Sequence, residues 1–174
     1  LLGETKNELG GSAYQQMQLG EICGMPPELN LEKEQTLQQA LLENIRCGNV
    51  MSAHDLSHGG LALALLTACT EKFGISVDLK SDLRPDIALF SESQSRILLS
   101  VSPEKVKQIE ASMREKGVQC FRIGKVLSAE ISATVSSGVT KNFEIAFNGA
   151  PLIQAELRNL RDLWQNAIER VMQR

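Results

Sequence analysis

The residues of this chain that are best suited to chemistry lie in one short polar stretch, 54–60, which reads H-D-L-S-H-G-G. Asp55 and Ser57 supply a carboxylate and a hydroxyl, and His58 supplies a titratable ring. Gly59 and Gly60 permit positive φ angles and the close approach of a ligand to the backbone. These residue types suit the binding of a phosphate group or a nucleotide.

The stretch lies between two predicted elements, so its place in the fold can be inferred. Residues 50–53 are typical of a short strand, and strong helix formers extend from Leu61 to Phe73, where we expect Gly74 to end a buried helix. The turn would then present the unpaired backbone N–H groups of a helix start, which stabilise an anion. The predicted phosphate- or nucleotide-binding residues are Asp55, Ser57, Gly59 and Gly60.

Two other interpretations of this stretch stay open. Asp55 or Ser57 can serve only as a helix cap, and the paired glycines can serve only to make the turn. His54 and His58 have a spacing found in metal sites, but no H-E-x-x-H glutamate lies between them and the turn is not expected to be helical. We therefore predict no metal ligands, and the sequence offers neither a catalytic triad nor a Walker-type lysine loop.

Two further polar segments come directly before predicted elements. Residues 8–12 read E-L-G-G-S, with Ser12 as the N-cap of a helix over 13–19. Residues 89–96 read L-F-S-E-S-Q-S-R and precede an apolar strand over 97–101. Taken alone, residues 8–12 are explained equally well as a linker turn, and for residues 89–96 the pattern favours an exposed turn before the strand.

Length and composition indicate a soluble globular protein. Of 174 residues, 43% are apolar and 22% are charged, which suffices for one domain with a true core. The net charge is −3, basic residues are scattered and aromatic residues make up 4%, so nucleic-acid binding is disfavoured. No apolar run approaches the roughly 20 residues of a membrane span, and no signal peptide is recognisable, so we expect no membrane partner and a cytoplasmic location.

The four cysteines form no C-x-x-C motif and are predicted to be reduced, partly buried thiols. They are Cys23, Cys47, Cys69 and Cys120.

The remaining pattern predicts an α+β fold, a mixed sheet with helices packed on it. A helix over 31–47 begins after the N-cap Asn30, and its apolar stripe consists of Leu37, Leu41, Leu42 and Ile45. A second helix covers 103–117, and a last helix begins near Pro151 and contains Trp164, a core or interface anchor. Further strands are predicted over 75–79, 118–126, 130–135 and 142–147, the last followed by a tight turn at Asn148 and Gly149.

The segments 8–12, 53–61 and 89–96 together resemble, in order and spacing, the C-terminal part of the phosphoribosylformylglycinamidine synthase family of purine synthesis. The synthetase polypeptide of that family carries two tandem copies of an ATP-binding half followed by a C-terminal half, which is shared with aminoimidazole ribonucleotide synthetase, selenophosphate synthetase and a hydrogenase maturation protein. E-L-G-G-S and L-F-S-E-S-Q-S-R are most similar to the second copy. The resemblance implies that residues 1–174 form one C-terminal domain with the fold of that superfamily, a fragment of a longer chain.

The same resemblance implies an activity for the complete protein. With ATP and Mg²⁺ it would activate the amide oxygen of formylglycinamide ribonucleotide that ammonia replaces and admit ammonia released from glutamine, giving formylglycinamidine ribonucleotide. Its partners would be the ATP-binding half of the same polypeptide, a glutaminase subunit and a small accessory subunit. The chain alone would bind no cofactor firmly and would be inactive.

The resemblance also assigns residues to a shared cleft. The residues matching Asp55, Ser57, Gly59 and Gly60 line a cleft shared with an ATP-binding half. A second group lies at the same cleft and is expected to form its substrate side. That group consists of Glu92, Ser93 and Gln94.

Two departures from the family pattern support an alternative. The family usually has Asp in D-x-S-D-G-G where this chain has His58, and the second C-terminal half faces a degenerate or structural site. The chain would then be a non-catalytic scaffold or a structural nucleotide-binding domain of the same enzyme. Membership of the hydrogenase-maturation or selenophosphate branch is disfavoured, since S-E-S-Q-S-R looks particular to the purine enzyme.

Overall fold

The computed structural model describes residues 1–128 and 142–173, which fall into two compact units. The first unit combines Leu1–Ala64 with Asp82–Arg122, and the second combines Leu65–Ser81 with Ile123–Arg174. Helices and a mixed sheet are both present, so the predicted α+β class is confirmed. The strand predicted over 130–135 lies outside the described residues.

The described residues form seven α-helices and six strands. The helices are α1 (Ala13–Leu19), α2 (Leu31–Arg46), α3 (Gly60–Ala68), α4 (Pro85–Phe90), α5 (Val106–Glu115), α6 (Leu157–Gln165) and α7 (Ala167–Met172), with a 3-10 turn at Pro103–Lys105. The strands are β1 (Ser52–Asp55), β2 (Phe73–Leu79), β3 (Ile97–Ser100), β4 (Gly124–Ser128), β5 (Phe143–Phe147) and β6 (Ala150–Ala155).

The first unit is built around a short antiparallel pair of strands. In β1 and β3, Ser52 lies opposite Ser100 and Asp55 lies opposite Ile97. Leu2 forms bridges with both Ile97 and Cys120, so the first residues of the chain run beside the start of β3. This pairing places the segment that follows Leu2 next to the polar residues that precede β3.

Helix α2 starts as predicted but buries a different face. The Asn30 side chain accepts a hydrogen bond from the Lys33 amide at 3.0 Å, which confirms the predicted cap. Leu37 and Leu41 are buried, whereas Leu42 and Ile45 are 45% and 44% exposed, so the predicted stripe is half wrong. The buried positions are Leu37, Ala40, Leu41 and Asn44, one face at helical spacing, and the core they join includes Ile109 and Met113 of α5.

Asn44 was not predicted to be buried because its side chain is polar. Its amide nitrogen donates to the Ala40 carbonyl and to the Ser112 hydroxyl, both at 2.9 Å, and its oxygen accepts from the Asn49 side chain at 3.1 Å. These bonds replace the hydrogen bonds to water that the side chain loses on burial, so an asparagine can occupy a core position of the helix.

The second unit contains a four-stranded mixed sheet in the order β4-β2-β5-β6. The central strand β2 pairs antiparallel with β4 and parallel with β5, so that Ile75 faces both Val126 and Phe143. Strands β5 and β6 form a hairpin whose tight turn is the predicted one, with positive φ at Asn148 and Gly149.

The helix predicted from Leu61 to Phe73 is too long. Helix α3 ends at Ala68, and the Thr70 hydroxyl accepts from the amides of Lys72 and Phe73 in a turn that leads into β2. Gly74 is not a helix cap: it lies inside β2, where an added Cβ would lie 1.9 Å from the Asn142 carbonyl oxygen. Pairing of the strands thus overrides the helix propensity of the last residues of the run.

The prediction of a final helix from Pro151 is also wrong at its start. Residues Ala150–Ala155 form β6, and the helix begins only at Leu157. Pro151 is accepted in this edge strand because it pairs with Ala146 at a register irregularity between Ile145 and Ala146, where ladder hydrogen bonding is already interrupted. Trp164 is 51% exposed and therefore not a core residue; its role as an interface anchor stays a prediction.

Candidate functional site

The two-glycine turn joins strand β1 to helix α3 in the first unit, close to the predicted geometry. Gly59 and Gly60 both have positive φ, +81° and +59°. A Cβ on Gly60 would lie 2.7 Å from the Ser91 carbonyl oxygen and 2.8 Å from that of Leu89. The close approach that requires glycine is thus made by the chain's own backbone, so the second and third polar segments pack directly on one another.

The Glu92 carboxylate joins the third polar segment to the second and to the start of α1, which directly follows the first. Its Oε1 accepts from the Gly59 amide and from the Ala13 amide, each at 2.9 Å, and its Oε2 lies 3.6 Å from Nδ1 of His58. The Glu92 side chain is only 12% exposed. A carboxylate of the chain therefore binds an amide of the turn at which the sequence predicts an external anion.

The serines on either side of Glu92 hold the first polar segment. The Ser93 hydroxyl accepts from the Lys6 amide at 3.1 Å, and the Ser91 hydroxyl accepts from the Glu8 amide at 3.4 Å. Both serines are buried. Ser93, a predicted substrate-cleft residue, therefore bonds to the backbone of its own chain.

Of the predicted cleft residues, Gln94 has an exposed side chain. Its amide nitrogen donates to the Glu92 carbonyl at 3.3 Å. Glu92, Ser93 and Gln94 are thus brought to one place, but they differ in access: Glu92 is largely covered, Ser93 is buried and Gln94 is open to solvent.

Asp55 and Ser57 are both exposed, whereas Gly60 is buried. The Asp55 side chain is 78% exposed, and its Oδ1 lies 3.8 Å from Nδ1 of His54. The Ser57 carbonyl accepts the Gly60 amide at 3.0 Å. The carboxylate and the hydroxyl are therefore accessible to a ligand, and the predicted residues Asp55, Ser57, Gly59 and Gly60 do lie on one turn.

Helix α1 is fastened to the third segment by two contacts. Its first amide, that of Ala13, binds Glu92, and the Tyr14 ring stacks on the Phe90 ring with centroids 4.4 Å apart and planes 2° from parallel. The Ser12 side chain caps the helix by accepting from the Gln15 amide, as predicted. The first polar segment is therefore held against the third on both sides of Ser12.

Sequence reasoning did not single out Arg96, a buried charged group of the first unit. The Arg96 side chain is 2% exposed, and Nη1 donates to the Ser91 carbonyl at 3.0 Å. Burial lowers the pKa of Arg96 to about 10, against the opposing effect of Glu8. The sequence does contain one signal for this residue. Arg96 directly precedes the apolar residues 97–99, so it places a charge at the start of a core strand.

The second unit contains a separate open cavity of about 490 Å³, whose charged lining residues include Arg158, Arg161 and Asp162. Nη1 of Arg161 donates to the Cys69 carbonyl at 2.6 Å, and Asp162 is bound by Arg170. Burial raises the pKa of the Cys69 thiol to about 11, so the thiol is protonated at neutral pH. Asp162 is thus already paired with an opposite charge and Arg161 is hydrogen-bonded to the backbone, and no predicted site residue lines this cavity.

Neither a metal cluster nor a membrane span is found in the part of the chain that the structure describes. Residues 1–128 and 142–173 contain no group of three or more His, Cys, Asp and Glu side chains placed to hold a metal ion. No helix among them is long and apolar enough to cross a bilayer. All four cysteines are free thiols, with Cys69 buried and Cys47 exposed.

Comparison with known proteins identifies similar sequences over the whole chain. The family model described as AIR synthase related protein, C-terminal domain, matches residues 1–136. The subunit PurL of phosphoribosylformylglycinamidine synthase from Caldanaerobacter subterraneus subsp. tengcongensis is 39% identical over 175 residues, which cover all of this chain and 22% of that protein. The chain thus spans about a fifth of the length of the curated relatives it matches.

Solved structures share the fold at lower identity. Thermotoga maritima PurL complexed with FGAR has a TM-score of 0.73 at 21% identity, covering 91% of this chain and 26% of the other. PurLQS from the same organism gives 0.61 at 23% identity over 86% of this chain and 24% of the other. PurL complexed with ATP gives 0.57 at 23% identity over 72% of this chain and 21% of the other. At these identities the likeness establishes the fold.

Proposed function

The chain belongs to the family of AIR synthase related protein C-terminal domains, and from this membership we propose that it serves as the C-terminal half of a phosphoribosylformylglycinamidine synthase. The complete protein would use ATP to convert formylglycinamide ribonucleotide and ammonia into formylglycinamidine ribonucleotide. The observation that carries the proposal is the match of the whole chain, at 39% identity, to a PurL subunit. Residues 1–174 would act as one domain of that longer polypeptide.

The geometry supports a role for the two-glycine turn in binding the nucleotide. Asp55 and Ser57 offer exposed oxygens of the kind that accept hydrogen bonds from the water molecules around Mg²⁺ and phosphate groups. The Gly59 amide, by contrast, is already bound by Glu92. This donor set fits one side of a Mg²⁺·ATP site, in which the ATP-binding half would supply the remaining contacts.

When bound, the nucleotide supplies the phosphoryl group that activates the amide oxygen. The residues of this chain would bind and orient. Asp55 and Ser57 would contact the nucleotide phosphates and their hydrated Mg²⁺ through water, Gln94 would present an amide at the substrate side, and Glu92 would keep the two segments in register. Catalysis of this kind depends on positioning and charge neutralisation rather than on a nucleophile of the protein.

In this role the complete protein would act together with two further subunits. Ammonia would come from glutamine through a glutaminase subunit, with a small accessory subunit completing the assembly, and the solved PurLQS structure supports this composition by analogy. The amidotransferase would act in the cytoplasm.

A second function, a non-catalytic scaffold, is favoured by one specific observation. Glu92 occupies the Gly59 amide and Ser93 bonds to the Lys6 backbone, so both groups can be explained as packing contacts. In this case the domain would hold the enzyme together without contacting a nucleotide that turns over.

One assay on the polypeptide encoded by the complete gene separates the two. Formation of formylglycinamidine ribonucleotide and ADP is measured with ATP, Mg²⁺ and ammonium chloride, for the native protein and for the variants D55A and S57A. The synthetase role predicts activity that falls at least about tenfold in either variant, the size of one lost charged contact. Full activity in both variants would favour the scaffold, and a complete gene without an ATP-binding half would refute both.

A further inference from the structure

We infer that Asn148 is a deamidation site whose reaction the fold suppresses, and that release of the β5–β6 turn from Asp78 and Ser81 makes it reactive. Asn148 and Gly149 form the one Asn-Gly sequence among the 174 residues, and both are exposed to solvent at the end of the hairpin. Asparagine is a chemically labile residue, and a following glycine, which has no side chain, leaves its backbone nitrogen least hindered. Sequence and exposure therefore mark this position as open to modification.

The reaction has water as its only co-reactant. The backbone nitrogen of Gly149 gives up its proton and attacks the side-chain carbon Cγ of Asn148. A new N–C bond forms, the bond from Cγ to Nδ2 breaks, and Nδ2 takes up a proton and leaves as ammonia. Water then opens the cyclic imide at either carbonyl, which gives aspartate or isoaspartate. The reaction thus requires a free Gly149 N–H and an Asn148 side chain that can turn toward it.

The fold holds the Asn148 side chain on a different partner. Its oxygen accepts from the Ser81 amide at 3.1 Å, and its nitrogen donates to the Ser81 carbonyl at 2.9 Å. The backbone is held as well, since the Asn148 amide donates to the Leu79 carbonyl at 2.9 Å and φ is +50° in the tight turn. The side chain cannot turn toward Gly149 until both bonds to Ser81 have opened.

Asp78 holds the attacking nitrogen. Its Oδ1 accepts from the Gly149 amide at 3.0 Å, and its Oδ2 lies 2.6 Å from Nζ of Lys80. A carboxylate that accepts a hydrogen bond from an N–H group stabilises the protonated form of that group, so the proton is harder to remove. Both reacting groups of the Asn-Gly pair are therefore occupied by one segment of the same unit, residues 78–81.

The modified chain would not rebuild this contact. A carboxylate at position 148 has no N–H to donate to the Ser81 carbonyl, and isoaspartate adds a carbon atom to the backbone of a tight turn. Local openings of part of a fold occur in native proteins. Deamidation during such an opening would thus leave a lasting mark that the turn had been released.

Peptide mass spectrometry during incubation at pH 8 tests the inference. Formation of aspartate and isoaspartate at position 148 is followed in the native 174-residue chain, in D78A, in K80A and in a synthetic peptide with the sequence of residues 144–153. K80A is the matched control, because it removes the ion pair of Asp78 but leaves the acceptor of the Gly149 amide. Urea denaturation of each chain gives the unfolded fraction, whose contribution to the rate is subtracted.

We expect the native chain to react at least about tenfold more slowly than the peptide, since at least one net hydrogen bond must open before attack. D78A should react at least about threefold faster than K80A. A native rate equal to that of the peptide would overturn the inference, and equal rates in D78A and K80A would refute the role of Asp78. If D78A does not fold, the comparison of the native chain with the peptide still decides whether the fold suppresses the reaction.

The lasting effect of the modification is tested with N148D, which is one of the two products. We expect its folding equilibrium constant to lie at least about fivefold below that of N7D, a change at an exposed asparagine, because the Ser81 carbonyl loses its donor. Equal constants in N148D and N7D would show that the turn re-forms unhindered and would refute the lasting mark. None of these measurements depends on catalytic activity, so failure of the proposed function would be seen independently.

Discussion

The Gly59 amide donates its hydrogen bond to Oε1 of Glu92 at 2.9 Å, across 33 positions of sequence. The turn that the sequence marks as an anion site is therefore bound at one amide by an anion of the chain. Because the same oxygen also accepts the Ala13 amide, removal of one side chain should loosen three segments at once.

Replacing Glu92 by alanine should lower the free energy of unfolding by about 2 kcal/mol, since two amides lose a charged acceptor. E92Q should cost less, because its amide oxygen can still accept. Urea denaturation checks both variants, with E21A, at an exposed glutamate, as the control. Equal stability of E92A and E21A would show that the bridge contributes nothing.

The glycine at position 60 should tolerate no side chain. G60A combines a positive φ with a Cβ 2.7 Å from a backbone oxygen that cannot move freely, so we expect a loss of at least about 3 kcal/mol. G11A is the matched control: its φ of +73° is similar, but no atom lies within 4 Å of the added Cβ, so only the backbone strain of about 1 kcal/mol applies. Similar losses in the two variants would contradict the close packing described for Gly60.

A carboxylate at position 58 should lower the folding stability of this chain. H58D would place a second negative charge near Oε2 of Glu92, which lies 3.6 Å from the native ring. Because the His58 side chain is 89% exposed, the loss of stability relative to H58N should stay below about 1 kcal/mol and shrink in 1 M salt. Thermal denaturation at low and high salt measures it; a salt-independent difference would exclude charge repulsion.

Acid should weaken the hairpin of the second unit through Asp78. Hydrogen bonds from the Lys80 ammonium and then from the Gly149 amide lower the pKa of the Asp78 carboxyl below its usual 3.8. Its stabilising contribution is therefore present above pH 3.8 and lost as the pH falls through the lower folded-state value. In D78N the stability should fall less steeply between pH 4 and pH 2, which denaturation at several pH values checks; parallel curves would contradict the assignment.

Thiol reactivity should separate the cysteines by burial. At pH 8 iodoacetamide should label Cys47, which is exposed, and spare Cys69, whose pKa is raised to about 11 by burial. Since an unfolded thiol ionises from about pH 9, the contribution of Cys69 to stability should be full below that pH and decline toward pH 11. Peptide mass spectrometry after labelling measures the pattern, and equal labelling of both cysteines under native conditions would contradict it.

The predictions that succeeded depend on local chemistry. Ser12 and Asn30 cap helices as expected, and Asn148 and Gly149 make the predicted turn. In each case the structure is determined by residues that lie within a few positions of one another in the sequence.

The predictions that failed depend on pairing partners distant in sequence. Gly74 was interpreted as a helix cap because the reason for a glycine there lies 68 positions later in the chain. A side chain at position 74 would collide with the Asn142 carbonyl oxygen. Leu42 and Ile45 were placed in the core because nothing local shows that α5 packs on the face of Ala40 and Asn44. The burial of Arg96 likewise follows from the tertiary fold.

The role of this chain as one side of a nucleotide site can be measured by isothermal titration with Mg·ATP, Mg·ADP and formylglycinamide ribonucleotide. The titrations compare the 174-residue chain, the polypeptide of the complete gene and the D55A/S57A variant of that polypeptide. If the chain has this role, we expect no binding to the short chain, binding to the complete polypeptide, and nucleotide affinity weakened at least about tenfold in the variant. Nucleotide binding that is absent from the complete polypeptide, or unchanged in the variant, would contradict it.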